Sequence, residues 1–519
     1  MYSIEKKIFP EYLERIFTNF KDNVAIREGE SEYTYGEMKN EVRRIENYFV
    51  ELGIRLGDIV AVQLANSSRE IFSIFALFEI GAIPIMVLPA YGENELEGII
   101  SVATPKFFIG MRSYFNQDYQ ARIEKLASKY TFIKKIIFED EIQKCGETSG
   151  RIPVVENEVQ PEDLALLLLS GGTTGIPKLI PRTHMDYIYN AEMAAKRCEL
   201  TENEVYLACM PIVHNFTLCV PGILGTFYVG GCVVVSNDLG PLEILENIEE
   251  DGVTYTSLVP ALAKCCCDVL EEDEDGWKLE SLKKILIGGS MLDRSIAEKI
   301  ISYISPNLIQ VFGTAEGLIC TTSLSDDRET IINTQGKPIS EYDEIKIVNL
   351  DGQEVEDGKE GELITRGPYT IKEYFRLGDK NLECFTEDGF YKTGDKACIL
   401  ANGNIRILGR IREQINRAGE KIMPSEVEEA ILKISDIRNC AVLGVRDEMM
   451  GTAIVSCVVS DEAIDDYVLK KQLADNGLAT YKIPDKVIQM NELPLTAFGK
   501  VDRKALGELV LELEGKING

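Results

Sequence analysis

Short apolar or β-branched runs alternate with helical patterns through roughly the first four hundred residues, and this rhythm confines the chain to an α/β architecture. Residues 59–64 read as a strand, 68–80 as a helix and 83–88 as the next strand. The same kind of run returns at 164–169, 204–210, 232–236, 253–258, 284–287 and 308–312. Such βαβ alternation implies mostly parallel, wound sheets with helices on their faces. From 345 onward the strands shorten and turn dipeptides intervene (Asp351-Gly352, Asp388-Gly389, Asn402-Gly403), so a small β-rich subdomain is expected. After residue 412 comes a helical period at 425–433, strand-like runs at 440–445 and 453–459, a helix at 468–476 and a last strand at 487–490. A chain of 519 residues exceeds one ordinary core. The expected division is an N-terminal domain over 1–408, a joint at 409–412 and a small α+β domain over 413–519.

Composition removes several classes of function. The formal net charge of −30 would repel a phosphate backbone, so nucleic acid is not expected as a partner. The 13 cysteines form no paired Cys-x-x-Cys spacing. Cys265, Cys266 and Cys267 are adjacent, point different ways on a helix and make no metal cage alone. Residues 1–7 lead into no short apolar core, so a secretory leader is not expected. The one membrane look-alike, 71–90, is broken by Gly81 and Pro84 and fits a buried helix and strand better than a span. A reduced, cytoplasmic setting is the consistent expectation.

The apolar run 164–169 empties into Ser170-Gly171-Gly172-Thr173-Thr174-Gly175-Ile176-Pro177-Lys178. Glycines admit a close ligand approach, and successive backbone N–H groups with threonine hydroxyls can wrap a polyphosphate. Lys178 would add a compact positive charge. A surface turn of small polar residues has the same composition, and this segment alone does not separate the two. It is no Walker A loop, since Leu179 follows the lysine where Ser or Thr would stand.

Four later segments join this loop: Val311-Phe312-Gly313-Thr314-Ala315-Glu316-Gly317, Tyr391-Lys392-Thr393-Gly394-Asp395, Gly409-Arg410 running to Gly419-Glu420-Lys421, and Pro494-Leu495-Thr496-Ala497-Phe498-Gly499-Lys500. With the loop, they resemble the acyl- and aryl-adenylating enzyme superfamily in order and spacing, over essentially the whole chain. Pro181-Arg182-Thr183-His184, Pro211-Ile212-Val213-His214-Asn215-Phe216, Asn333 to Pro338 and Arg366 to Thr370 are similar to the freestanding 2,3-dihydroxybenzoate/salicylate adenylases. Those enzymes open siderophore and related aryl-capped, nonribosomal pathways.

The resemblance implies ATP-dependent activation of an aromatic acid to aryl-AMP, followed by transfer to the phosphopantetheine thiol of a separate aryl carrier protein. A carboxylate is already ionised at neutral pH, so the first half-reaction needs no general base, in keeping with a chain of only two histidines. The work is positioning and charge stabilisation, which calls for lysines and a metal. By resemblance Glu316 holds Mg²⁺, the 170–178 loop surrounds the β- and γ-phosphates, and Asp395 accepts from the ribose hydroxyls with Arg410 near the same ribose. Gly288, Gly289 and Ser290 let adenine lie close to backbone beside Val311, Phe312 and Gly313. Lys500 bridges the acid and the α-phosphate. Arg412 stands at the hinge about which the mobile C-terminal domain turns, where Asp or Lys is usual. Gly419, Glu420 and Lys421 would then face the cleft and admit the thiol.

The acid pocket implied by the resemblance is gated by His214 and lined by Asn215, Phe216, Cys219, Val220, Gly288, Thr314 and Ile319. Phe216 replaces a more usual Tyr, and Val220 a Ser that reads a ring hydroxyl. Valine cannot make that hydrogen bond, so salicylate, 4-hydroxybenzoate or benzoate competes with 2,3-dihydroxybenzoate as the substrate. An aryl- or acyl-CoA ligase of the same superfamily is the rival reading, differing only in the thiol. A phosphate-binding kinase or ATPase is a distant one, opposed by the missing Gly-Lys-[Ser/Thr]. A catalytically dead binding module would lack Lys500, Glu316 or Asp395, and all three are present.

Overall fold

A computed structural model describes residues 4–115, 117–146, 159–170, 178–272, 276–417, 420–434, 437–447, 451–476, 478–496 and 499–517. Its contacts separate two compact units. The first comprises the described residues of Met1–Gly172, Ile176–Glu344 and Thr365–Tyr391, and the second those of Ile345–Ile364 and Lys392–Gly519.

Two wound sheets organise the first unit. Among the described residues, one sheet has nine strands in the order Lys337–Pro338, Ile319–Thr321, Leu308–Gly313, Lys284–Gly288, Tyr255–Leu258, Val205–Ala208, Cys232–Val235, Val24–Glu28 and Ser31–Thr34. Neighbours from Leu308–Gly313 through Val24–Glu28 run parallel, while each edge adds antiparallel pairs. The other sheet has six strands, Leu179–Thr183, Leu164–Leu169, Ile83–Met86, Ile59–Gln63, Phe107–Gly110 and Lys135–Phe138. It is parallel except for its first pair. Strands covered by helices on both faces are apolar throughout, which is why Leu164–Leu169 reads as an unbroken run rather than an alternation.

Local signals set the element ends. The helix Ser68–Ile80 starts where the Ser67 side chain accepts the Glu70 N–H and stops at Gly81, whose φ of 73° is left-handed. Pro84 then lies in the strand Ile83–Met86, so the membrane-like stretch is a buried helix and strand as its breakers predict. No helix among the described residues is long and apolar enough to cross a membrane. Cys266 and Cys267 are buried and Cys265 is exposed, the divergence that adjacency on a helix demands. All 13 cysteines are free thiols.

The second unit holds most of a four-stranded sheet, Glu344–Val348, Gly361–Arg366, Tyr391–Ile399 and Ile405–Arg410. Of that sheet, Glu344, Thr365, Arg366 and Tyr391 count with the first unit, and Ile405–Arg410 lies wholly in the second. The second unit also holds the hairpin Ile415–Arg417/Glu420–Ile422 and a three-stranded sheet, Asn439–Asp447, Gly451–Val459 and Lys486–Met490. The three-stranded sheet buries both faces. Ile431 and Val427 of the helix Pro424–Leu432, with Leu469 and Leu473, cover one side. Leu506 and Val510 of the C-terminal helix Arg503–Ile517 cover the other. Ile345–Ile364 and the strands from Lys392 to Arg410 thus share a compact unit with the elements after 412, while Thr365–Tyr391 counts with the first unit.

Candidate active site

The strand Leu164–Leu169 turns back into Leu179–Thr183 through a loop whose two ends are tied together. Ser170 donates its N–H to the Lys178 carbonyl at 3.0 Å, and its hydroxyl accepts the Lys178 N–H at 2.9 Å. Gly171, Gly172, Thr173, Thr174 and Gly175 lie outside the described residues. The Lys178 ammonium sits 4.5 Å from the centre of the Tyr374 ring and 3.4 Å from Cys384 Sγ. A lysine drawn to an aromatic face by the ring quadrupole still has donors left for an anion.

Tyr374 also meets the acidic turn. Its hydroxyl donates to Glu316 Oε1 at 2.7 Å, and the Glu316 side chain is buried. Burial and the Glu316 charge push the Tyr374 phenol far above its usual range, so it stays a donor. The turn closes through Gly317 N–H to the Thr314 carbonyl and Thr314 N–H to the Leu318 carbonyl. The Ile371 N–H holds the Glu316 carbonyl at 2.8 Å. Gly317 packs so closely on Thr370 that a Cβ there would lie 2.6 Å from the Thr370 Cα. Ile319 donates its N–H to the Tyr369 hydroxyl, which in turn donates to Asp343 Oδ2 at 2.6 Å. Burial raises the Asp343 carboxyl to about 7. The segment Tyr369 to Tyr374 is thus the backing of the Glu316 turn.

Gly288 and Val311 are paired at the C-terminal ends of neighbouring parallel strands, where ligands of wound sheets bind. A Cβ on Gly288 would stand 2.8 Å from the Val311 carbonyl and 3.2 Å from Phe216 Cζ, so only glycine leaves the Phe216 ring its place. Gly289 follows with a φ of 89°, and Ser290 is exposed. Phe312 is half-buried, and Gly313 lies against Ile319, whose Cδ1 would be 2.5 Å from a Cβ there.

His214 caps the short helix Asn215–Cys219, its Nδ1 accepting the Phe216 N–H at 3.2 Å. Asn215 Oδ1 and Thr314 Oγ1 are buried without a hydrogen-bond partner among the described residues. An unmatched polar atom in an apolar lining points to a missing partner, since leaving it unpaired costs about 1–3 kcal/mol. Val220 and Ile319 supply apolar surface. The Cys219 thiol donates to the Tyr187 carbonyl at 3.5 Å, and burial pushes its pKa up to about 12, so it is not a nucleophile.

In the second unit, register sets Asp395 opposite Arg410. Their ion pair is 3.0 Å long, with Asp395 buried and Arg410 partly exposed. The Arg410 guanidinium also donates to the Thr393 carbonyl at 2.9 Å. Thr393 in turn bonds the Leu363 carbonyl and the Asp395 N–H. Lys500 closes a tight turn, its carbonyl accepting the Thr496 N–H at 2.6 Å, with Gly499 at a φ of 69°. Lys500 is exposed, and desolvation by the protein around it lowers the ammonium pKa to about 8. The positive charge of Arg410 pushes the same way, and Asp395 and Glu413 oppose it. Arg412 lies in the single helical turn Ile411–Glu413, and Glu420 and Lys421 in the strand Glu420–Ile422. Gly419, Ala497 and Phe498 lie outside the described residues.

Sequence patterns did not single out Tyr374, Asp343, Asn66 or the part played by Arg182. Arg182 carried one signal, a Thr183-x-x-Asp186 cap that sets an acid four residues on.

The chain matches the family model described as AMP-binding enzyme over residues 13–375, and that of the AMP-binding enzyme C-terminal domain over 426–500. It is similar to the 2,3-dihydroxybenzoate-AMP ligase of Bacillus subtilis, at 39% identity over 97% of this chain and 94% of the relative. The salicyl-AMP ligase/salicyl-S-ArCP synthetase of Mycobacterium tuberculosis is 38% identical over 92% of this chain and 86% of that protein. Among solved structures, apo MbtA of Mycobacterium smegmatis superposes with a TM-score of 0.74 at 34% identity, covering 97% of this chain and 95% of the other.

Proposed function

From the premise that this chain belongs to the AMP-binding enzyme family, we propose that it joins a benzoate-type acid to AMP and passes the aryl group to the thiol of a phosphopantetheinylated carrier protein. The observation that carries the aryl reading is the pocket wall. Phe216 fits only because residue 288 is glycine, and next to it in the chain Asn215 Oδ1 is a buried acceptor with no donor among the described residues. A flat ring bearing a hydroxyl answers both features, and an alkyl chain answers neither.

In the first half-reaction a carboxylate oxygen bonds the α-phosphorus of ATP while the bond to pyrophosphate breaks. Lys178 and the loop ends at Ser170 hold the departing phosphates, and Lys500 offsets the negative charge of acid and α-phosphate as they meet. Asp395, oriented by Arg410 and Thr393, presents carboxylate oxygens suited to paired ribose hydroxyls. Glu316 fits a hard divalent cation such as Mg²⁺. Its Oε1 is fixed by Tyr374, and Oε2 accepts no hydrogen bond from the described residues. When bound, that ion neutralises phosphate charge. For the second half-reaction Arg412 is the proposed hinge, and the Gly419–Lys421 segment the proposed thiol-step loop.

An ATP–pyrophosphate exchange panel of benzoates and aliphatic acids tests the first step. Exchange with one or more benzoates is the expected result, and exchange only with aliphatic acids would overturn the reading. Thioester formation on a carrier protein against free coenzyme A tests the second. Preference for coenzyme A would make the enzyme an aryl-CoA ligase instead.

A further inference from the structure

Arg182 heads the fully buried side chains by size, and one of its N–H groups ends on the turn that bears Glu316. Its Nη1 donates to the Ala315 carbonyl at 3.0 Å. The rest of the guanidinium is held from the helix His184–Arg197: Nε pairs with Asp186 Oδ1 at 2.8 Å, and the Tyr187 ring lies 4.9 Å away. Asp186 is itself fixed, because its Oδ2 accepts both the N–H and the hydroxyl of Thr183 at 2.7 Å. Lys cannot copy this geometry, since a single ammonium replaces a planar fork that serves Asp186, Ala315 and, at 3.5 Å, Asn190 Oδ1 in different directions.

A buried ion pair is poor value for stability alone, as apolar residues of similar volume usually serve as well. Here the charge is spent on a carbonyl one residue before Glu316. Arg182 lies on the strand Leu179–Thr183, which begins directly after Lys178, and four strand residues span about 13 Å. One short, edge-paired strand therefore closes the loop at Lys178 and grips the acidic turn at Ala315. The other side of that turn is held at Glu316 by Ile371 and Tyr374.

We infer that Arg182 is a positioning residue: through the Ala315 carbonyl it holds Glu316 where a divalent cation accompanying the nucleotide phosphates is bound. This rests on the reading of Glu316 as the metal-holding carboxylate.

The test is calorimetric titration of ATP, in MgCl₂ and in EDTA, into the wild type, Arg182→Lys, Arg182→Met/Asp186→Asn and Glu316→Gln. The double variant keeps the Thr183 cap and leaves no unpaired buried charge, so it guards against misfolding. The readout is the ratio of metal-free to metal-loaded dissociation constants. Both Arg182 variants are expected to shrink that ratio by about tenfold, with metal-free affinity within about twofold of wild type. Glu316→Gln is expected to shrink it at least as far. If Glu316→Gln shrinks the ratio and both Arg182 variants retain it, the positioning inference is overturned and the Glu316 reading survives. Equal loss of affinity with and without metal in the Arg182 variants overturns it too, as a merely structural role would give. If Glu316→Gln retains the ratio, the metal reading itself fails and the inference falls with it.

Discussion

The carboxamide of Asn66 accepts the Ile212 N–H on its Oδ1 at 3.0 Å, joining the turn after one sheet to the loop that delivers His214 and Asn215 from the other. Its Nδ2 is shared among the carbonyls of Met210 at 2.9 Å, Ser236 at 3.0 Å and Cys209 at 3.1 Å. Asn66→Ala would strand these buried groups and is expected to lower stability by about 3 kcal/mol, read as a shift in the urea midpoint. The same variant should raise KM for the acid several-fold and leave KM for ATP little changed. An equal rise in both constants would mean that the loop is not what Asn66 positions.

Gly288→Ala tests the pocket wall. The added methyl meets the Val311 carbonyl at 2.8 Å, which cannot yield without breaking the strand pairing, and Phe216 Cζ at 3.2 Å, which can swing inward. Overpacking of this kind costs about 1–3 kcal/mol, so KM for the aromatic acid is expected to rise about tenfold. Gly288→Ala/Phe216→Leu should recover the part of it that the displaced ring causes, while the Val311 contact remains. A double variant no better than the single would place the acid elsewhere.

Val220→Ser tests ring recognition. A hydroxyl restored at a buried, otherwise apolar position offers a partner to a ring hydroxyl, and one such bond is worth about 1 kcal/mol or somewhat more. The ratio of kcat/KM for 2,3-dihydroxybenzoate over salicylate is therefore expected to rise about five- to tenfold. If the wild type already prefers 2,3-dihydroxybenzoate strongly, Val220 does not set the choice.

What was legible in the sequence follows from what is local. The helix Ser68–Ile80 and the strand Leu164–Leu169 lie where the periodicity predicts, because a serine cap, a left-handed glycine and an unbroken apolar run are all short-range signals. The strands Val24–Glu28, Phe107–Gly110 and Lys135–Phe138 went unread, being four or five residues long with no turn dipeptide to frame them. At the site, motifs marked Glu316 and Asp395 but not what holds them. Tyr374 lies 58 positions from Glu316, Arg182 lies 133 from Ala315, and Asn66 lies 146 from Ile212. Contacts across such separations are made by sheet order, and no pattern within one window contains it.

His184 carries a pH dependence of stability. It is buried, its Nδ1 accepts the Phe9 N–H at 3.2 Å, and burial lowers its pKa from 6.5 to about 4. In that interval the unfolded chain holds a proton that the folded chain refuses. Stability is thus complete above 6.5 and is lost as pH falls toward 4, by about 3 kcal/mol in all. Urea midpoints measured across this range should show the fall, and His184→Gln should flatten it while lowering the plateau. An unchanged slope in the variant would assign the acid sensitivity to other groups.

Lys500 carries a pH dependence of activity. Its ammonium is lowered from 10.5 to about 8, by desolvation first and by Arg410 second, so it is charged below about 8 and neutral above. Only the charged form can offset the negative charge that gathers when a carboxylate meets the α-phosphate. Hence kcat/KM for the acid in ATP–pyrophosphate exchange is expected to be level below that value and to fall toward tenfold per pH unit above it. Arg410→Gln removes the neighbouring positive charge and should carry the alkaline limb to higher pH, whatever it does to the height of the plateau. Lys500→Ala should lower exchange by about 10²-fold or more and abolish the limb, yet leave thioester formation from preformed aryl-AMP nearly intact. The three results hang together through one proton. An Arg410→Gln profile with its limb unmoved, or a Lys500→Ala enzyme that keeps full exchange, would show that the proton governing adenylation sits on another group.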